Sequence, residues 1–140
     1  MSTLTLSGGH VYRYGDKVVP GITEVLAGCG IINSDWFNEE AKWRGSRVHL
    51  ACEFDDRGEL DESSVLAEDR PYLEAWRLCK RQLGLPEPTL IEQPLYSERY
   101  GFAGTPDRYY AERKLLIDLK TGQSAKWHGI QLAAQAVLVY

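Results

Sequence analysis

The sequence predicts an α+β fold, and three observations carry that expectation. Segments with helical periodicity fill much of the chain up to residue 84, and "LPEP" at 85–88 breaks the pattern. Three segments with strand-like alternation follow, and an apolar helical segment closes the chain. The 140 residues fit one domain, 1–140, large enough to bury a core of its own.

Taken in order, "HVYRYGDKVVP" (10–20) alternates on both sides of Gly15-Asp16 and reads as a small hairpin. "GITEVLAGCG" (21–30) is a short helix with Thr23 as its cap and glycines at its end. Residues 34–58 read as helical, broken or bent near Gly45, with Val48, Ala51, Cys52 and Phe54 on an apolar side. "ELDESSVLAEDR" (59–70) is an acidic connection. "PYLEAWRLCKRQLG" (71–84) is an amphipathic helix, opened by Pro71, striped by Tyr72, Ala75, Trp76, Cys79 and Leu83, and stopped by Gly84. "TLIEQPLYS", "GFAGTPDRYY" and "KLLIDLKTG" are the strand-like segments. "SAKWHGIQLAAQAVLVY" is the closing helix, with Trp127, Ile130, Ala134, Val137 and Leu138 on one side. The expected architecture is an N-terminal hairpin and helices, then a mainly antiparallel central sheet of three or more strands, then a helix.

Composition excludes several classes. Apolar residues make up 44% and charged residues 26%, ordinary values for a globular protein, and no apolar run approaches the length of a membrane span. The N-terminus carries neither a basic stretch nor an apolar one, so no secretion signal is expected. Cys29, Cys52 and Cys79 are odd in number and widely spaced, which fits buried thiols in a reducing, cytoplasmic setting better than disulfides or a zinc site. The net charge of −4 argues against a protein that coats nucleic acid through bulk electrostatics. A local basic rim around an acidic, metal-loaded site remains compatible with it.

The stretch "GTPDRYYAERKLLIDLKTG" (104–122) puts acids where a sheet should bury apolar side chains. A hairpin centred on Glu112-Arg113 sets Asp107 opposite Asp118 and Thr105 opposite Lys120. Alternation then places Asp118 and Lys120 on one face, with Leu115, Ile117 and Leu119 on the other. Facing Cβ atoms in an antiparallel pair lie roughly 4.5–5.5 Å apart, where like charges repel. Two facing carboxylates therefore call for a cation between them or a proton on one of them. Mg²⁺ is held by one or two carboxylates together with waters and phosphate oxygens, and a neighbouring lysine can neutralise phosphate or position water. The pattern points to metal-assisted phosphodiester hydrolysis. The plain alternative is a solvated face on which Asp118 and Lys120 balance each other; the glycine and proline of "GTPD" weigh against it.

These residues carry a resemblance. "GTPD…IDLKTG" resembles the split motif of the PD-(D/E)XK nucleases, in particular their RecB-like and phage exonuclease-like branch. "RGSRVHLACE" (44–53) resembles that branch's upstream histidine motif, "IEQPLY" its acidic strand, and "HGIQLAAQAVLVY" its downstream glutamine helix. "VYRYGDKVVPGITEVL" is similar to the hairpin-plus-helix start of phage members. The resemblance runs from residue 10 to 140 and implies a restriction-endonuclease-like core.

It also implies roles. Asp107 and Asp118 would bind Mg²⁺ or Mn²⁺, with His49 and the Leu119 backbone carbonyl as further ligands and Glu92 in support. Lys120 would orient water and stabilise developing charge, and Gln131 would hold Lys120, the water or the scissile strand. Gln135, one turn further, stands where the family often has tyrosine. Arg44, Arg47, Arg108, Lys126 and His128 would meet DNA phosphates. Trp43 and Trp127 are placed in core packing, with stacking on unpaired bases as the other option.

The implied activity is a metal-dependent deoxyribonuclease. It would be an exonuclease on linear single- or double-stranded DNA, leaving 5′-phosphates in phage or prokaryotic repair or recombination. The alternative is a nuclease-fold module that binds DNA or a protein partner without cutting. No membrane partner is expected. No cysteine follows Cys79, so no iron–sulfur cluster is expected. The family core continues past the glutamine helix into another strand, which this chain lacks. That implies a C-terminally truncated core, uncovered apolar surface on "LAAQAVLVY", and completion by a second copy or a partner chain.

Overall fold

The computed structural model describes residues 2–32 and 38–140. The expected order is present: an N-terminal β-sheet, helices, antiparallel strands and a closing helix. Among the described residues, no helix is long and apolar enough to cross a membrane. The chain divides into two compact units, each assembled from separate segments.

The first unit takes in Met1–Asp35, Thr89–Asp118 and Ser124–Tyr140. Strands β1 (Leu4–Ser7), β2 (Val11–Tyr14) and β3 (Lys17–Val19) form an antiparallel sheet in chain order. The β2–β3 turn is the expected one at Gly15-Asp16, with Gly15 at φ 63. Strand β1 was not anticipated, because "LTLS" is short and polar. Helix α1 (Ile22–Gly28) is capped at Gly21 rather than Thr23, which lies inside the first turn. The Glu24 carboxylate reaches back to the Gly21 N–H at 3.4 Å, satisfying one donor at the helix start.

The remaining strands of this unit are β4 (Leu90–Ile91), β5 (Leu95–Ser97), β6 (Phe102–Gly104), β7 (Arg108–Tyr110) and β8 (Leu115–Ile117). They pair as β4-β7-β8 and β5-β6, all antiparallel. Helix α4 (Trp127–Val139) packs Trp127, Ala134 and Leu138 against a core of Ile22, Leu26 and Ile32. Ile130, Val137 and Tyr140 remain exposed, and the Tyr140 hydroxyl donates to the Lys114 carbonyl at 2.6 Å. Gly104 lies where α1 and α4 close on β6. An added Cβ there would stand 2.6 Å from Ile22 Cδ1 and 3.0 Å from Leu138 Cδ1.

The second unit takes in Trp36–Pro88 and Leu119–Gln123. Helix α2 (Glu39–Asp56) is capped by Asn38, whose side chain accepts from Ala41 N–H at 2.6 Å. It runs unbroken through Gly45, contrary to the expected break; one glycine costs a helix only about 1 kcal/mol. Residues 34–37 of the expected helix lie outside the described residues. Helix α3 (Arg70–Leu83) has Pro71 in its first turn and ends at Gly84 in the left-handed conformation (φ 58), both as expected.

The two helices bury Val48, Cys52, Leu73 and Trp76. Leu73, among the most buried side chains, is absent from the expected stripe, whereas Ala75, Leu83 and Phe54 are exposed. Trp43 is 62% exposed, so its expected core packing is corrected.

The acidic connection before α3 is tied down. It forms a 3₁₀ turn at Glu62–Ser64 capped by Asp61, and Glu62 pairs with both Arg70 and Arg77. Arg77 also forks onto Asp55 at 2.7 and 3.0 Å, and Trp76 Nε1 donates to Asp56 at 2.9 Å. Hydrogen bonds from Arg77 hold the Asp55 carboxyl below its ordinary range. Those from Arg70 and Arg77 do the same for Glu62, and those from Ser63 for Asp61.

Candidate metal centre

The acids of the first unit owe their placement to strand register. Leu90 pairs with Tyr109 and Ile91 with Arg108, while further along Leu95 pairs with Gly104 and Tyr96 with Ala103. Both sets belong to one hairpin register, interrupted where Pro94 and Pro106 have no N–H to give. That register sets Glu92 opposite Asp107, and the Glu92 N–H donates to the Asp107 carbonyl at 3.0 Å. Their carboxylate oxygens lie within 4.8 Å of one another. Glu92 has a left-handed backbone (φ 47), an unfavourable conformation for a residue with a side chain, retained beside this acid pair.

The β7–β8 hairpin has the register anticipated from its turn. Arg108 pairs with Ile117, Tyr109 with Leu116 and Tyr110 with Leu115, around a turn over Ala111–Arg113 that Lys114 closes at φ 49. One step beyond the paired residues, Asp107 lies opposite Asp118. By register, Glu92, Asp107 and Asp118 come in line at one end of the β4-β7-β8 sheet; of these, Glu92 and Asp107 have carboxylate oxygens within 4.8 Å of one another.

The segment "GTPD" secures the middle of that row. Gly104 admits the helices, Thr105 Oγ1 lies 2.6 Å from the Tyr12 hydroxyl, Pro106 is fully buried, and Asp107 is 6% exposed. Burial pushes the Tyr12 phenol up; the Thr105 hydrogen bond opposes this and the negative charge of Glu92 adds to it.

Arg108 departs from its expected place on a DNA-binding rim. It has no exposed surface, and its Nη1 donates to the Asp107 carbonyl at 2.7 Å and lies 3.4 Å from Glu92 Oε1. A guanidinium so enclosed balances buried acids and does not present itself to a phosphate. On α4, the sequence singled out Gln131, which is half-buried. The residue against Asp118 is Gln135, one turn on: it is 3% exposed, and its Nε2 donates to Asp118 Oδ1 at 3.4 Å. Alternation and motif spacing gave Gln135 no contact; the apolar residues around it, Ala134, Ala136 and Leu138, were the available sign that its side chain is enclosed. His128 accepts from the Ala125 N–H at the start of α4 through Nδ1, and Lys126 is exposed.

The second unit holds the other expected residues. His49, on α2, has Nε2 2.7 Å from the Leu119 carbonyl, so two expected ligands meet. Arg44 donates to the Thr121 carbonyl at 3.2 Å and lies over the Tyr72 ring, 5.4 Å from its centroid. Arg47 is forked onto Asp69 at 2.7 and 3.0 Å and pairs with Glu68, a structural engagement rather than an open cationic rim. Hydrogen bonding to Asp69 pushes its guanidinium further up. An apolar cavity of about 210 Å³ is lined by Val48, Cys52, Tyr72, Trp76 and Leu119, and Lys120 contributes to its wall.

Chemically, the row offers hard oxygen donors, the set that suits Mg²⁺ or Mn²⁺ rather than a thiophilic metal. No protein-family model, curated protein or solved structure matches the chain.

Proposed function

We propose that the chain is a metal-dependent deoxyribonuclease of the PD-(D/E)XK type, acting on the ends of linear DNA. The observation that carries this reading is the approach of the Glu92 and Asp107 carboxylates to within 4.8 Å of one another, with Asp118 next in register at the end of a three-stranded sheet. Arg108 is one cation set against these acids, and a divalent ion would balance the remaining negative charge. The divalent ion would supply Lewis acidity toward a phosphodiester and a more acidic water.

In this reading Asp107 and Asp118 hold the ion, and Glu92 shares that work more directly than a supporting role. His49 is the further ligand that the resemblance implies; its Nε2 lies 2.7 Å from the Leu119 carbonyl. Lys120, two residues past Asp118, offers its ammonium to the phosphate and to the attacking water. Arg108 holds the Asp107 backbone carbonyl and faces the Glu92 carboxylate from within. Of the expected cations, Lys126 is exposed and open to backbone phosphates, whereas Arg44 is engaged by the Thr121 carbonyl and the Tyr72 ring.

The test is cleavage of end-labelled linear and circular DNA, single- and double-stranded, with Mg²⁺, Mn²⁺ or chelator, beside Asp118→Ala. Metal-dependent loss of linear substrates that is absent in Asp118→Ala supports the reading, and survival of circles makes the enzyme an exonuclease. An Asp118→Ala protein that cuts at the wild-type rate sinks the site assignment. A second reading is a nuclease-fold module that binds DNA or a protein partner without cutting; the ion pairing of Arg47 and the enclosure of Arg108 remove two expected phosphate contacts and favour its protein-binding form. Intact DNA in every lane from a folded protein would select it.

A further inference from the structure

We infer that Gln135 is a positioning residue for Asp118, resting on the reading of Asp118 as a cation ligand. Three observations converge. Gln135 is 3% exposed on a helix face that otherwise packs apolar side chains, where a buried amide needs partners. Its Nε2 faces Asp118 Oδ1 at 3.4 Å; the opposite amide orientation would turn an acceptor onto the carboxylate. Its Oε1 is buried with no hydrogen-bond partner among the described residues.

A leucine or methionine would fill the same space without leaving an acceptor unsatisfied, so packing alone does not account for a glutamine. An amide has what a carboxylate ligand needs on its outer side: a donor that selects one carboxylate orientation and leaves the other oxygen to the ion. Asp118 lies one residue past the end of β8, and the contact from α4 adds a restraint on its side chain. Gln131, the residue that motif spacing favours, is one turn away.

The experiment is Mn²⁺ titration calorimetry of the full chain together with thermal unfolding in chelator and in saturating Mn²⁺. The proteins are wild type, Gln135→Met and Asp107→Ala. Gln135→Met keeps the side-chain length and removes both polar ends. Its expected result is a metal-free Tm equal to or above that of wild type, with Mn²⁺ affinity lowered about tenfold or more and a smaller Tm rise on adding Mn²⁺. A purely structural glutamine would move both Tm values together and leave the affinity alone. Gln135→Glu places a second carboxylate against Asp118, so its metal-free Tm should fall below that of Gln135→Met. Wild-type affinity in Gln135→Met, with binding lost in Asp107→Ala, overturns this inference alone. No Mn²⁺ binding by wild type overturns it together with the metal reading.

Discussion

Replacing Arg108 by methionine tests the electrostatic logic of the acid row. The guanidinium has no exposed surface, and Nη1 lies 2.7 Å from the Asp107 carbonyl and 3.4 Å from Glu92 Oε1. Asp107 is 6% exposed and the Glu92 side chain 20%, so solvent does little to screen what remains when the cation is removed. Methionine fills most of the volume, which isolates the charge from the cavity term. Breaking a buried pair by removing one partner costs about 3–5 kcal/mol, because the surviving charge stays buried. For a chain of this size that corresponds to a fall in Tm of about 10 °C or more.

Thermal unfolding followed by circular dichroism in chelator measures the loss, and the same scan in Mn²⁺ adds a second expectation. A divalent ion on the row replaces the missing charge, so the ion should stabilise Arg108→Met by more than it stabilises wild type. Arg108→Lys should recover only part of the loss, since both contacts come from Nη1 and a lysine ammonium ends one atom short of that position. An Arg108→Met protein melting within a few degrees of wild type in chelator would refute the reasoning. The row would then not be a site of buried, unbalanced negative charge.

Further expectations address packing, pH and the histidine. Gly104→Ala forces a methyl group against Ile22 and Leu138, and should cost about 1–3 kcal/mol by chemical denaturation; an unchanged midpoint would remove Gly104 as the contact point of α1 and α4. The carboxyls of Asp55, Asp61 and Glu62 are held below their ordinary range, so the stability they contribute is complete above the unfolded value of about 4 and is lost as pH falls through their lower folded values. Acid titration should therefore loosen the second unit below about pH 4, and Arg77→Met should flatten that dependence; an acid midpoint indifferent to Arg77→Met would count against it. His49→Ala should weaken Mn²⁺ binding more than it lowers Tm, and unchanged calorimetric affinity would strike His49 from the ligands.

Parts of the site were legible because they depend on local rules. The turn at Ala111–Arg113 and strict alternation placed Asp107 across from Asp118, and the observed pairs of β7 and β8 keep that register. The partnership of Glu92 with Asp107 was harder to read, since the two prolines disguise one hairpin as two short strand pairs. The charge of Arg108 suggested a solvent-facing role, but its side chain is enclosed. Nothing within one strand says which arginine a fold will enclose, because that depends on the acids facing it and on the space left by other elements.

From sequence alone come the α+β order, the bounds of α3 between Pro71 and Gly84, the turns at Gly15-Asp16 and Glu112-Arg113, and the pairing of acids across the last hairpin. Each rests on backbone preferences and periodicities spanning a few residues. Tertiary structure alone decided that α2 passes through Gly45 unbroken, that Arg108 points inward, and that Gln135 meets Asp118. Those outcomes are set by which side chains share a buried volume, and burial couples residues far apart in the chain, where local propensity has no reach.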